Sequence, residues 1–175
     1  MAISRRRGAW RGAVLLLVLA GAAVAADGSP PGGTPPPGPS ETVTASVVEV
    51  TDGDTIVAAF PGGRTESVRY IGVDTPESTP NQPLECFGHE AAAANAALVG
   101  GHQLRLSFGP ERRDDYGRLL AYVRVERSFV NATLVRRGYA RTLTIAPNDQ
   151  HAELFSRLEA AAGRAGRGLW GACGG

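Results

Sequence analysis

Three strand-like runs, one alanine-rich helical run and two more strand-like runs follow one another between residues 42 and 125, and that order restricts the fold more than any other feature of the chain. Thr42 to Val50 is rich in Val and Thr, residues that suit a pleated, half-buried surface. Asp52-Gly53 turns the chain into Thr55 to Phe60, and Pro61-Gly62-Gly63 turns it again. Ser67 to Val73 then sets Val68, Tyr70 and Gly72 against Arg69, Ile71 and Val73 on opposite faces of a third strand. Glu90 to Val99 (EAAAANAALV) predicts a helix stopped by Gly100-Gly101. Gln103 to Phe108 and Arg118 to Val125 predict strands four and five. Val130 to Arg137 predicts a second helix closed by Gly138, and Gln150 to Arg164 a third, with Asn148 or Asp149 as its N-cap. Five strands with a helix between the third and fourth is the connectivity of an OB-fold barrel. The expected class is therefore α+β: a five-stranded OB-fold barrel with three helices.

The barrel accounts for residues 42–175. Residues 1–25 have another character: Arg5, Arg6, Arg7 and Arg11, then the apolar run Ala13 to Ala20, then Ala23-Val24-Ala25. A basic stretch, a short apolar core and a small-x-small site form a signal peptide, too short to span a bilayer comfortably; an uncleaved anchor is the other reading. Residues 26–41 hold six of the twelve prolines and no large apolar residue, so they predict a disordered, extended Pro/Gly-rich linker. The expected location is secreted, periplasmic or cell-envelope, with no stable membrane insertion once the signal is cleaved.

Charge follows the same division. All 18 basic residues are Arg and Lys is absent, which excludes Schiff-base lysine chemistry and a P-loop. Removing residues 1–25 takes four Arg and no acidic residue, leaving 14 Arg against 17 acidic groups. Affinity for a polyanion must then come from local charge, and 112–141 supplies it with eight Arg. Export also gives meaning to the two cysteines. Cys86 and Cys173 are even in number and far apart, the pattern of one disulfide tying the C-terminal tail to the loop before the first helix. Cys86-x-x-His89 as a metal pair is the alternative, although two ligands are too few for zinc.

Two acidic turns carry the chemistry. Asp52-Gly53-Asp54-Thr55 joins strands one and two, and Asp74-Thr75-Pro76-Glu77 ends strand three. In a twisted antiparallel sheet these ends lie side by side, gathering Asp54, Asp74 and Glu77. Crowded carboxylates repel unless a proton or cation intervenes, and a hard divalent ion, calcium above all, suits oxygen ligands on flexible loops. Arg69 precedes Asp74 by five residues, and Arg118 follows the turn Asp114-Asp115-Tyr116-Gly117. Guanidinium forks match phosphate oxygens. A cation, two arginines and a free carboxylate are the equipment of phosphodiester hydrolysis.

The stretches VTDGDTIV, VRYIGVDTPE, ECFGHEA, DDYGRLLAYV, FVNATLVRRGYA and GLW, in this order from Val48 to Trp170, resemble the thermonuclease family of staphylococcal-nuclease-like domains. The resemblance implies an OB-type barrel with added helices and calcium-dependent hydrolysis of DNA and RNA, single- and double-stranded, leaving 3′-phosphate ends. It also implies that Asp54 and Asp74 bind calcium with the Thr75 backbone carbonyl, that Glu77 activates or positions water, that Arg69 and Arg118 grip the phosphate, and that Tyr116 lies near it. Where well-known members have two aromatics against the base, this chain has Leu143 and Ile145, which lack a π-face. A monomer is expected. The competing readings are a non-catalytic nucleic-acid-binding module of the same fold and a protein-interaction domain displayed on the linker.

Overall fold

The computed structural model describes residues 42–80 and 82–174; the expected signal peptide over 1–25 and linker over 26–41 lie outside the described residues. The strands are β1 (Thr42–Val50), β2 (Thr55–Ala59), β3 (Thr65–Tyr70), β4 (Gly72–Asp74), β5 (Gln103–Arg113), β6 (Leu119–Val125), β7 (Ser128–Phe129) and β8 (Arg141–Leu143), and the helices are α1 (Gly88–Val99), α2 (Val130–Arg137), α3 (Ala152–Arg164) and the single turn α4 (Leu169–Ala172). The main sheet runs β3-β2-β1-β5-β6. It closes on itself because β3 also pairs in parallel with β6, Val68 opposite Leu119 and Tyr70 opposite Ala121. The result is the five-stranded barrel with three principal helices that the sequence order predicts. No helix among the described residues is long and apolar enough to cross a membrane.

Alternation fills the barrel. Ile56, Ala58, Val68, Tyr70, Leu104, Leu106, Ala121 and Val123 are buried, each separated from the next on its strand by an outward-facing residue. Two buried asparagines then fix the helices to the barrel. Asn131 of α2 accepts the Val123 N–H (2.9 Å) and donates to the Ile71 carbonyl (2.8 Å). Asn95 of α1 accepts the Tyr70 hydroxyl (3.0 Å) and donates to the Asp52 carbonyl (2.9 Å). A buried amide satisfied on both sides specifies one arrangement, because any shift leaves a polar group unpaired.

The expected third strand over 67–73 divides in two. Tyr70 ends β3, the Ile71 N–H bonds to Ala121 of β6 (2.9 Å), and Gly72 turns the chain outward with φ +79°. β4 leaves the barrel and pairs antiparallel with β8, Asp74 opposite Arg141. The cause is local: a glycine in the left-handed region bends the strand, and the Phe155 ring of α3 packs into the space a side chain would fill, 2.5 Å from an added Cβ. The first helix starts at Gly88 rather than Glu90, and the fourth strand runs on to Arg113 rather than stopping at Phe108. Neither Asn148 nor Asp149 caps α3. Its N-cap is His151, without a side-chain bond, because the Asn148 side chain is committed to β5: it accepts the Glu111 N–H (3.0 Å) and donates to the Glu111 carbonyl (2.9 Å). Cys86 and Cys173 form the expected disulfide, their Cα atoms 5.9 Å apart.

Gly72→Ala combines left-handed strain with displacement of Phe155 and should destabilise the protein by about 2–4 kcal/mol. Gly101→Ala, at φ +72° with nothing within 4 Å, should lose only the backbone part, about 1–2 kcal/mol. Urea unfolding of the two variants checks this; equal losses would remove the packing role of Gly72.

Candidate active site

The turn between β1 and β2 buries a carboxylate. Asp54 is 4% exposed, a position that costs several kcal/mol for an unpaired charge. It is compensated on every side. Oδ1 accepts the Thr55 hydroxyl (3.1 Å), Oδ2 accepts the Thr75 N–H (2.8 Å), and the Arg69 guanidinium forms an ion pair with the same Oδ2. Strand register brings the arginine there: Arg69 of β3 lies opposite Thr55 of β2. Its second terminal nitrogen meets Asp74 Oδ1 at 2.6 Å. One guanidinium therefore bridges the two acidic turns. Burial pushes the Asp54 carboxyl above its ordinary range, while Arg69 and the Thr75 amide pull the other way.

Asp52 and Glu77 add charge to the same place. Asp52 is buried, and its Oδ1 accepts the Gly53 N–H (2.7 Å) and the Ser78 hydroxyl (2.8 Å), which ties the first acidic turn to the second. The Glu77 carboxyl is raised by its own burial, then by Asp52 beside it and by Asp54, with Arg69 opposing. Asp54 and Asp74 thus pair with one arginine, with Asp52 and Glu77 as further carboxylates close by.

Arg118 lies one residue before β6 rather than opening it. Asp114 holds it: Oδ1 accepts the backbone N–H groups of Tyr116 (3.1 Å) and Arg118 (2.9 Å), and Oδ2 accepts Arg118 Nε (2.6 Å). The terminal nitrogens of Arg118 have no hydrogen-bond partner among the described residues, so its fork is fixed at the base and open at the tip. Tyr116 is 85% exposed, with its ring 5.2 Å from that guanidinium. Arg69, Tyr116, Arg118, Leu143, Ile145 and Glu111 line one open cavity of about 470 Å³. Leu143 and Ile145 are exposed on its wall. Asp54, Asp74, Thr75 and Glu77 do not line it; Arg69 is the residue that the cavity and the carboxylate cluster share.

The donors fit a hard cation. No three His, Cys, Asp or Glu side chains converge on one point among the described residues. Asp54 and Asp74 nevertheless face a common group, now the guanidinium of Arg69. Thr75 Oγ1 beside them is buried without a hydrogen-bond partner, and the negative charge exceeds what one arginine neutralises. Two carboxylates with backbone and water oxygens make a calcium-like ligand set.

Sequence reasoning selected Asp54, Asp74, Glu77, Arg69 and Arg118 and missed the groups that hold them. Asp52 reads as half of an ordinary turn, and Asn95 as a polar interruption of an alanine helix. Asp114 was within reach, since an Asp two and four residues before Tyr116 and Arg118 is the spacing of a side chain that caps the following backbone N–H groups.

A family model described as Staphylococcal nuclease homologue matches residues 67–172. The chain is similar to a Staphylococcus hyicus protein named Thermonuclease, 34% identical over 128 residues, covering 73% of this chain and 75% of that one. It is also similar to the SPbeta prophage-derived endonuclease YokF of Bacillus subtilis, 37% identical over 133 residues, covering 74% of this chain and 45% of that one. A third relative is endonuclease YncB of Bacillus subtilis, 40% identical over 116 residues, covering 65% of this chain and 54% of that one. The chain thus spans about half the length of the two Bacillus proteins.

Removing Arg69 strands a buried charge. Arg69→Met should destabilise the protein by about 3 kcal/mol, and Asp54→Asn added to it should recover part of that loss. Strict additivity of the two substitutions in urea melts would mean the pair is not coupled.

Proposed function

This chain belongs to the staphylococcal nuclease family, and from that membership we propose that it is a secreted, calcium-dependent nuclease that hydrolyses the phosphodiester bonds of single- and double-stranded DNA and RNA and leaves 3′-phosphate ends. The observation that carries the proposal is the pairing of Asp54 and Asp74 through Arg69, itself a wall residue of the cavity that holds the open fork of Arg118. Relatives named thermonuclease and endonuclease support the reaction class. The basic and apolar pattern of residues 1–25 and the disulfide support export.

Asp54, Asp74 and the Thr75 carbonyl would hold the calcium ion. When bound, the ion neutralises charge growing on the phosphoryl oxygens. The residues of the chain do the rest. Arg69 and Arg118 grip the phosphate from two sides, and Asp114 fixes the approach angle of Arg118 so that its terminal nitrogens remain free. Glu77 accepts a proton from the attacking water. Asp52 and burial raise its proton affinity, which brings a carboxylate nearer to the pKa a general base needs close to neutral pH. Tyr116 stands at the phosphate end of the cavity. Leu143 and Ile145 offer the base an aliphatic wall and no stacking partner, so base preference is weak. The proposed site is assembled from one chain, which is compatible with a monomer.

Plasmid and single-stranded DNA, incubated with calcium or with a chelator, test the reading. Cleavage should require calcium and disappear in Asp54→Ala, while binding without cleavage would make the chain a non-catalytic nucleic-acid-binding module. Arg118→Lys keeps the charge but loses the fork, and should lower the turnover number about a hundredfold or more with little change in KM. A matching loss in a distant control, Arg164→Lys, would remove Arg118 from the site. The base must be ionised to act, so activity falls as pH drops through the Glu77 pKa. Asp52→Asn removes the neighbouring negative charge and should move that acid limb to lower pH at fixed calcium. A limb that stays in place would take the proton-accepting role away from Glu77.

A further inference from the structure

Glu77 reaches the site from a segment without helix or strand, between β4 and α1, and its backbone is held in place by residues that the proposed chemistry does not use. The Glu77 N–H donates to Glu85 Oε2 (3.1 Å), and the Glu85 N–H donates back to the Glu77 carbonyl (3.0 Å). The Gly88 N–H closes the turn onto the Glu85 carbonyl (3.1 Å). Gly88 itself is pressed against Glu77, since a Cβ there would lie 2.2 Å from the Glu77 carbonyl oxygen. Glu77 and residues 85–88 are therefore fastened together as one unit.

That unit is under tension. Phe87 has φ +74°, a left-handed conformation in a residue with a bulky side chain, which is costly and persists only where the surroundings enforce it. The enforcement comes from its two sides. Phe87 stacks on Tyr139, ring centroids 5.6 Å apart, and the adjacent Cys86 is bonded to Cys173, 87 positions away at the C-terminal end of α4. Cys86 and Glu85 are both exposed, so little buried apolar surface holds this corner. The disulfide is the covalent fastening of this corner, and its Cys86 side is exposed to reductant.

We propose that Glu85 is a positioning residue for Glu77 and that the Cys86–Cys173 disulfide makes this positioning conditional on an oxidising compartment. A dithiol reductant donates two electrons; with two protons, the disulfide becomes two thiols and the reductant becomes its own disulfide. The freed Phe87 relaxes toward negative φ, the Glu85 clamp opens, and Glu77 loses its fixed distance to the phosphate. Barrel, Arg69 and Arg118 are untouched, so nucleic acid still binds but turnover falls. The enzyme would then be quiet among cytosolic thiols, where its substrates are the cell's own nucleic acids, and competent after export. This regulation rests on the nuclease reading above.

The test uses the full chain, oxidised and after treatment with dithiothreitol, with Cys86→Ser/Cys173→Ser, Glu85→Ala and Glu85→Gln. Two readouts are taken: amide hydrogen exchange at residues 77–88, and kcat and KM on a short fluorescent oligonucleotide in calcium. Reduction should raise exchange at Glu77 and Glu85 but not in β5 or β6, and lower kcat about tenfold or more with KM within about twofold, as misplacement of a reacting group does. The double serine variant should match reduced protein and ignore dithiothreitol. Glu85→Ala should lose turnover, and Glu85→Gln, which retains an acceptor for the Glu77 N–H, should recover most of it. Unchanged exchange on reduction would overturn the positioning claim whatever the activity, and raised exchange with undiminished kcat would overturn the gate. An oxidised protein that exchanges as described but cleaves neither DNA nor RNA would overturn the nuclease reading alone.

Discussion

A buried carboxylate needs a counter-charge, and the position of Arg69 against Asp54 answers that need and organises much of what surrounds it. The interaction joins β3 to the turn between β1 and β2, and through Asp74 it reaches β4 as well. Because the partners sit on adjacent strands in fixed register, Thr55 opposite Arg69, the ion pair and the barrel specify each other. The same guanidinium lines the open cavity. In the proposed reaction Asp54 and Asp74 would hold the cation, and Arg69, which pairs with both and also lines the cavity, would be placed to meet the phosphate.

The barrel and the proposed chemistry are connected by few but well-defined links. Asn95 carries the position of α1 to the Asp52 turn, and Tyr70 passes that position back to β3. Asn131 fixes the corner at Ile71 where the chain leaves the barrel to form β4. On the far side, Asn148 ties β5 to the stretch that follows β8, where Leu143 at the strand end and Ile145 beyond it are exposed. Each link is a polar side chain satisfied in the interior, where an unmade bond costs about 1–3 kcal/mol.

Much of this was legible in the sequence. Strand alternation and the helix between the third and fourth strands predicted the barrel, and the two acidic turns pointed to Asp54, Asp74 and Glu77, of which the structure pairs Asp54 and Asp74 through Arg69. Periodicity reports which face of an element is apolar, and turn residues report where chains reverse. Neither reports which distant backbone group a buried Asn or Asp will meet. Asn148 illustrates the limit: its type and place suit an N-cap, yet a tertiary bond to Glu111 outcompeted that local role. Gly72 illustrates another, since a single glycine inside an alternating run becomes a corner only once Phe155 packs against it. The same holds for Glu85, whose importance lies wholly in the backbone it clamps.

The proposed reaction requires Asp54 and Asp74 to share one cation. Calorimetric titration of calcium into the purified protein, beside Asp54→Asn, Asp74→Asn and Arg118→Lys, measures that sharing without recourse to turnover. One calcium per chain is expected, lost or much weakened in either aspartate variant and retained in Arg118→Lys. Undiminished calcium binding in Asp54→Asn would contradict it.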